Sequence, residues 1–308
     1  MELKTAKSPC PNDHKPELDV TEELDDAGVS RHRQLMGILR WAVELGRVDI
    51  HLEVSLLSQH LASPRQGHME VACHIFACLK KHPEAKLVFD PTNPGVDESR
   101  FQQVDWTEIC GKLEEELPPK MPEPRGNSVI TSCFVDSDHA GNKVTRRSHS
   151  GILIWVNNAP IVFCPKRQNT VESSTFGSEL VAMRIAKELI VALRCKLRMF
   201  GIPIDGPANV CCDNQGVVKN TSLPESTLSK KHDAINYHTC REAVAAGIMR
   251  VAKEPTESNL ADLFTKALSR SRRTELLANI VWGPFCRPEW ISGNKRKMET
   301  IQEEDTEE

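Results

Sequence analysis

Apolar positions in the first third of the chain recur at helical spacing. Leu35, Ile38, Leu39 and Ala42 fall on one stripe and predict a helix. A second helix is expected from Asp49 as N-cap through DIHLEVSLLSQHLA to Pro64. A third is expected over 66–81, ending before Pro83. A short strand follows at 86–89. The segment ELPPKMPEPRG then interrupts all periodicity, so 112–126 reads as a Pro-rich linker.

Beyond the linker the period changes. Residues 129–136 form a β-rich run closed by a carboxylate. Residues 151–156 and 160–164 flank Asn157-Asn158, the composition of a hairpin turn. A long amphipathic helix is predicted over 174–200, with Leu180, Met183, Leu189, Leu193 and Leu197 inward and Gly201 closing it. A strand at 208–213, helices at 214–220 and 229–246, a strand at 247–252 and a last helix at 259–268 complete the pattern. This order predicts an α/β domain with a mixed five-stranded sheet flanked by helices, preceded by a small helical unit. The organisation reads as a loose lead-in (1–30), a helical segment (31–111), the linker (112–126), the α/β domain (127–268) and a mostly disordered charged tail (269–308).

Composition alters this picture little, but charge adds something. The net charge is −4, yet the first 30 residues carry three bases and eight acids, and 298–308 carry six acids and no base. The body between them is basic, which suits a polyanionic partner. One Tyr and nine Phe leave little for base stacking. The 11 cysteines read as reduced thiols. Cys73, His74, Cys78 and His82 lack a CxxC pair and do not read as a zinc site. No apolar run has membrane-spanning length, and the N-terminus has no secretory h-region, so an intracellular protein of cytoplasm or nucleus is expected.

The candidate chemistry lies in four acids. Asp136 closes the first strand of the α/β domain in FVDSDHAG. Glu179 lies near the start of the long helix in SSTFGSEL. Asp213 closes a later strand in CCDNQ, and Asp262 opens the last helix in NLADLFTK. Alone, each has a plain structural role as a turn, capping or solvated acid. Together they fit two-metal phosphodiester hydrolysis, which needs several carboxylates converging on ions about 3.5–4 Å apart. Hard oxygen ligands suit Mg²⁺, and Mn²⁺ can substitute.

The motifs FVDSDHAG, RRSHSGILIWVNNAPIVFCPKRQNTVESSTFGSEL, VCCDNQGVVK, SKKHDAINYHTCREAV and NLADLFTKAL, in this order, resemble the ribonuclease H domain of copia-type LTR retrotransposon (pseudovirus) Pol polyproteins. Residues 31–90 resemble the thumb and connection that follow a reverse transcriptase palm. The resemblance implies that Asp136, Glu179, Asp213 and Asp262 are catalytic and hold two Mg²⁺ ions. It implies an RNA–DNA hybrid as partner, contacted through Ser174, Asn214, Gln215, Lys231 and Arg241. The palm and fingers of a parent polyprotein are a second candidate partner. Lys231, His232, His238, Arg241 and Glu242 match a family segment near nucleic acid, although the acid at Asp233 is displaced by one position. His238 itself reads as a packed or capping histidine. Residues 253–259 hold no histidine, where cellular ribonucleases H carry one that aids turnover; slower or more metal-dependent turnover is implied. Paired palm aspartates in a strand–turn–strand are absent, so no polymerase activity is expected from this chain. The competing expectation is a catalytically inactive, nucleic-acid-binding remnant of a decayed element.

Overall fold

In the computed structural model the described residues are 5–11, 14–228 and 231–282. In chain order the elements are α1 (Asp26–Glu44), α2 (His51–Leu57), α3 (Gln66–Lys81), β1 (Lys86–Leu87), α4 (Thr107–Cys110), β2 (Thr131–Asp138), β3 (His149–Val156), β4 (Ala159–Arg167), α5 (Thr175–Met199), β5 (Ala208–Cys212), α6 (Gln215–Ser222), α7 (Ala234–Ala245), β6 (Met249–Lys253), α8 (Arg270–Leu277) and β7 (Val281–Trp282). The main sheet has five strands in the order β4-β3-β2-β5-β6. Strands β2, β3 and β4 form an antiparallel meander; β5 and β6 continue the sheet parallel to β2.

Alternation along the central strands divides the interior in two. Cys133, Val135, Ile152, Ile154, Val210 and Cys212 face a core completed by α5, α6 and α7. Phe134, Leu153, Trp155 and Phe163 face a second core with Leu260, Leu263, Phe264, Leu276 and Leu277. Helix α5 supplies Leu180, Ala182, Met183, Ala186 and Ile190 to the first core, with Leu189 and Leu193 packed beside them. Ser174 caps α5, its side chain accepting from Gly177 N at 3.2 Å.

Several expectations are corrected. The last helix, expected over 259–268, is a 3-10 segment at Leu260–Phe264. Its backbone lies directly against β3: a Cβ at Gly151 would come within 2.4 Å of the Ala261 carbonyl oxygen. That contact admits only glycine on the strand. Asp136 does not close its strand, since β2 runs on to Asp138. Residues 231–233 form a separate 3-10 turn before α7, so the helix expected at 229–246 is shorter; 229–230 lie outside the described residues. Asp49 does not cap α2 but is buried and paired with Arg47 at 2.8 Å. On α1 the buried face is His32, Met36, Leu39 and Val43, while Ile38 is exposed.

Neither end is as loose as expected. Residues 14–24 are fastened to α3 and its approach through Gln66 N to Glu22 O, Leu24 N to Pro64 O and His68 to Pro16 O. Within the expected tail, residues 270–277 form α8 and Val281–Trp282 pairs with β1. The apolar residues Leu276, Leu277, Ile280 and Val281 follow the charged run 270–275 and show no long-range partner in the local sequence. Residues 283–308 lie outside the described residues. The helical unit also touches the sheet: Ser55 Oγ donates to Pro165 O, and Arg167 donates to Gln59.

The Pro-rich linker is anchored by one acid. Glu115 receives Arg194 at 2.8 Å and Arg198 at 2.5 Å, both from α5. Burial opposes ionisation, but the two guanidinium groups win and hold the carboxyl at about 2. A folded pKa below the ordinary 4.5 means the pairing stabilises above pH 4.5 and is lost as pH falls towards 2. Glu115→Gln should therefore lower the thermal midpoint at neutral pH and converge with wild type near pH 2; parallel curves at all pH values would show that the linker is not held by charge. Gly151→Ala should lower unfolding free energy by about 1–3 kcal/mol in a urea titration, because the new methyl group has no room.

Candidate metal centre

The four carboxylates come from four different elements. Asp136 lies on β2, Glu179 in the second turn of α5, Asp213 just past β5, and Asp262 in the 3-10 segment after β6. Asp136, Glu179 and Asp262 are buried; Asp213 is half-buried.

They meet as two linked pairs. Oxygens of Glu179 and Asp213, with the Cys212 sulfur, lie within 4.8 Å of one another. Asp136 and Asp262 are bridged by Lys266, whose Nζ is 2.8 Å from Asp262 Oδ1 and 4.0 Å from Asp136 Oδ2. The pairs sense each other electrostatically. Burial pushes Asp136 up to about 7, with Lys266 pulling against it and Asp262 and Asp213 adding to the rise. Burial also drives Glu179 well above its ordinary value, reinforced by Asp136 and Asp213.

Neighbouring groups fix each acid. Thr265 Oγ1 donates to Asp136 Oδ2 at 2.6 Å. Thr256 Oγ1 donates to Asp213 Oδ2 at 3.2 Å, and Lys253 Nζ donates to the Asp213 carbonyl. Buried Asn259 binds the backbone on both sides: its Nδ2 donates to Val135 O at 3.1 Å, and its Oδ1 accepts from Ala261 N at 3.1 Å. That residue ties the segment carrying Asp262 to the strand carrying Asp136. Gln168 performs the matching task for Glu179. Its buried Nε2 reaches Ser178 O at 2.8 Å, Ser150 Oγ at 3.0 Å and Ser137 Oγ at 3.2 Å, joining α5 to β2 and β3.

Hard oxygen donors concentrated in this way suit a divalent cation. Glu179 Oε2 supports the fit: it is buried and has no hydrogen-bond partner among the described residues. Asp262 fits less freely, because Lys266 already neutralises it and Arg272 lies 3.8 Å from its other oxygen.

The expected nucleic-acid contacts separate. Ser174 and Asn214 cap α5 and α6 beside the carboxylates, and Gln215 is exposed at the start of α6. Lys231 is exposed on the turn before α7. Arg241 is a correction. It is buried, and its guanidinium donates to Asn220 O, Leu223 O, Pro224 O and Ser226 Oγ. Its carbon lies 4.8 Å from the rings of both Trp106 and Tyr237. Arg241 holds the end of α6, the turn after it and the N-cap of α4 together. His238 is exposed and meets Tyr237 edge-on at 5.1 Å.

Lys266, Thr265, Arg272, Thr256 and Gln168 were not singled out from sequence. For Lys266 a signal existed, since it stands four residues after Asp262. Contacts of Arg272 and Gln168 have no local signature.

A three-stranded meander continued by two parallel strands, with helices on both faces and carboxylates at the end of the central pair, defines a ribonuclease H-like fold. Curated homologues of the chain are copia-type retrovirus-related Pol polyproteins. The Pol polyprotein from transposon RE2 of Arabidopsis thaliana is 30% identical over 270 residues, covering 88% of this chain and 16% of the relative. That from transposon RE1 of the same plant is 26% identical over 242 residues, covering 79% and 14%. That from transposon TNT 1-94 of Nicotiana tabacum is 24% identical over 270 residues, covering 88% and 17%. The chain thus spans only 14–17% of the length of these relatives. No family model matches it. Among solved structures, the N-terminal RNase H domain of a Mycobacterium tuberculosis protein aligns with TM-score 0.34 and 15% identity, covering 45% of this chain and 91% of that one. LC11-RNase H1, solved in complex with RNA/DNA hybrid, aligns with TM-score 0.34 and 16% identity, covering 44% and 93%.

Two alanine variants separate structural from surface cations. Arg241→Ala should lose on the order of 3 kcal/mol of stability in chemical denaturation, because four oxygen acceptors and two rings lose their partner. Lys231→Ala should leave stability unchanged and weaken nucleic-acid binding in a filter assay. The reverse pattern would restore Arg241 as a phosphate contact.

Proposed function

We propose that residues 127–268 act as a metal-dependent ribonuclease H that hydrolyses the RNA strand of RNA–DNA hybrids endonucleolytically, leaving a 3′-hydroxyl. The observation that carries this reading is the convergence of Asp136, Glu179, Asp213 and Asp262, with one buried oxygen of Glu179 lacking any partner among the described residues. These four residues would hold Mg²⁺ or Mn²⁺. Bound there, such ions would supply positive charge against the phosphoryl oxygens and a water of lowered pKa.

The chain's own residues prepare that reaction. Gln168 and Asn259 lock the backbone that carries Glu179, Asp136 and Asp262, so little reorganisation remains when a substrate arrives. Thr256 and Lys253 orient Asp213, the most accessible of the four. Ser174 caps α5, Asn214 caps α6 and Gln215 opens α6, and these three are assigned to the hybrid contact. The Asn214 cap uses Oδ1, not the Nδ2 donor. Polar groups so placed suit the 2′-hydroxyl by which RNA differs from DNA. Lys231 suits a phosphate further along the strand.

Residues 31–111 are read as the thumb- and connection-like part of the parent polyprotein, docked here on the sheet through α2. Among the described residues no helix is long and apolar enough to cross a membrane. The alternative, an inactive nucleic-acid-binding remnant, draws on one observation: Lys266 already occupies the space between Asp136 and Asp262.

The deciding experiment is hydrolysis of an end-labelled hybrid with Mg²⁺. Wild type should cut the RNA strand, and EDTA should stop it. Asp213→Asn should retain the fold and hybrid binding but lose cleavage, since shape is kept and a charged ligand is removed. Cleavage that survives EDTA, or equal rates in the two proteins, would show that these carboxylates are not the site.

A further inference from the structure

Lys266 reaches two buried carboxylates of the site at once, Asp262 at 2.8 Å and Asp136 at 4.0 Å. An acid and a lysine four apart usually form a solvent-exposed pair of little consequence. Here both acids are nearly shut off from water, at 4% side-chain exposure each, whereas the lysine is 44% exposed. The ammonium therefore sits at the mouth of the site with its charge directed inward. Asp136 and Asp262, from different elements, thus both act on this single group.

Arg272 differs in kind. It approaches Asp262 at 3.8 Å but also donates to Thr256 O at 2.9 Å and pairs with Glu275 at 3.5 Å, so it is held from three sides. Lys266, on a flexible four-carbon stem with an exposed flank, can leave without disturbing the fold.

We propose that Lys266 is a built-in counter-ion of the carboxylate site, holding Asp136 and Asp262 together without metal and competing with the divalent cation for them. This rests on the metal-site reading above. Without a cation, buried acids repel each other, and a lysine ammonium is the available substitute charge. When a divalent cation enters, the same ammonium opposes it and must swing towards solvent. The lysine therefore sets a threshold: it favours a stable metal-free protein and weakens cation affinity.

The test is Mn²⁺ titration of the full chain by calorimetry, with thermal melting in the absence and presence of Mn²⁺. Lys266→Met keeps the stem and removes the charge. It should melt lower than wild type without metal, bind Mn²⁺ roughly ten-fold more tightly and gain more stability from it. Lys266→Arg keeps the charge and should bind Mn²⁺ more weakly than Lys266→Met. If Lys266→Met folds only when Mn²⁺ is added, that also supports the counter-ion role; if it cannot be folded at all, Lys266→Gln carries the same comparison. Equal or weaker Mn²⁺ affinity in the neutral variant, while Asp213→Asn abolishes binding, would overturn this inference and leave the metal site standing. No Mn²⁺ binding by wild type or by the neutral variant would overturn both.

Discussion

Carboxylates gathered in a place with little water repel one another, and the architecture around the sheet end answers that repulsion. Burial raises Asp136 and Glu179 above ordinary carboxylate values, and the neighbouring acids add to the rise. Four neighbours offset part of the repulsion. Thr265 and Thr256 donate hydrogen bonds, Lys266 supplies charge, and Arg272 closes the flank.

That constraint reaches into the backbone. Asp262 can approach Asp136 only because the 3-10 segment lies flat on β3, and it lies flat only because residue 151 has no side chain. Asn259 then fixes the separation by bonding across to β2. On the other side Gln168 joins α5 to two strands beneath Glu179. Both devices are buried polar groups with several partners, which hold their neighbours in one arrangement more firmly than apolar packing does.

The outer parts of the chain support this frame. Helix α8 brings Arg272 to Asp262 and places Arg273 3.8 Å from buried Glu53 of α2, so the end of the described chain links the site to the helical unit. Trp106 against Arg241 and Glu115 against Arg194 tie the segment between the two units to α7 and α5. The linker thus follows the surface of the α/β domain.

Much of the fold was legible from periodicity alone. β-rich runs and the Asn157-Asn158 turn marked β2, β3 and β4, and the amphipathic pattern of 174–200 marked α5, because one buried face imposes its spacing on local sequence. The same logic located the four acids, each set in a motif beside a strand or a helix start. Other features depended on the assembled molecule. Arg241 reads as a surface cation in sequence, yet α4 and the 220–226 loop fold over it. Residues 270–282 read as part of a charged tail, since their apolar side chains find a core only once β1 and the second face of the sheet are present. The 3-10 turn at 260–264 packs its backbone against Gly151, a close approach that a side chain at 151 would block. Lys266 carried a spacing signal but no indication of its surroundings. Local sequence records which face of an element is buried; which distant groups meet there, and whether a charge finds water or another charge, is decided by long-range packing.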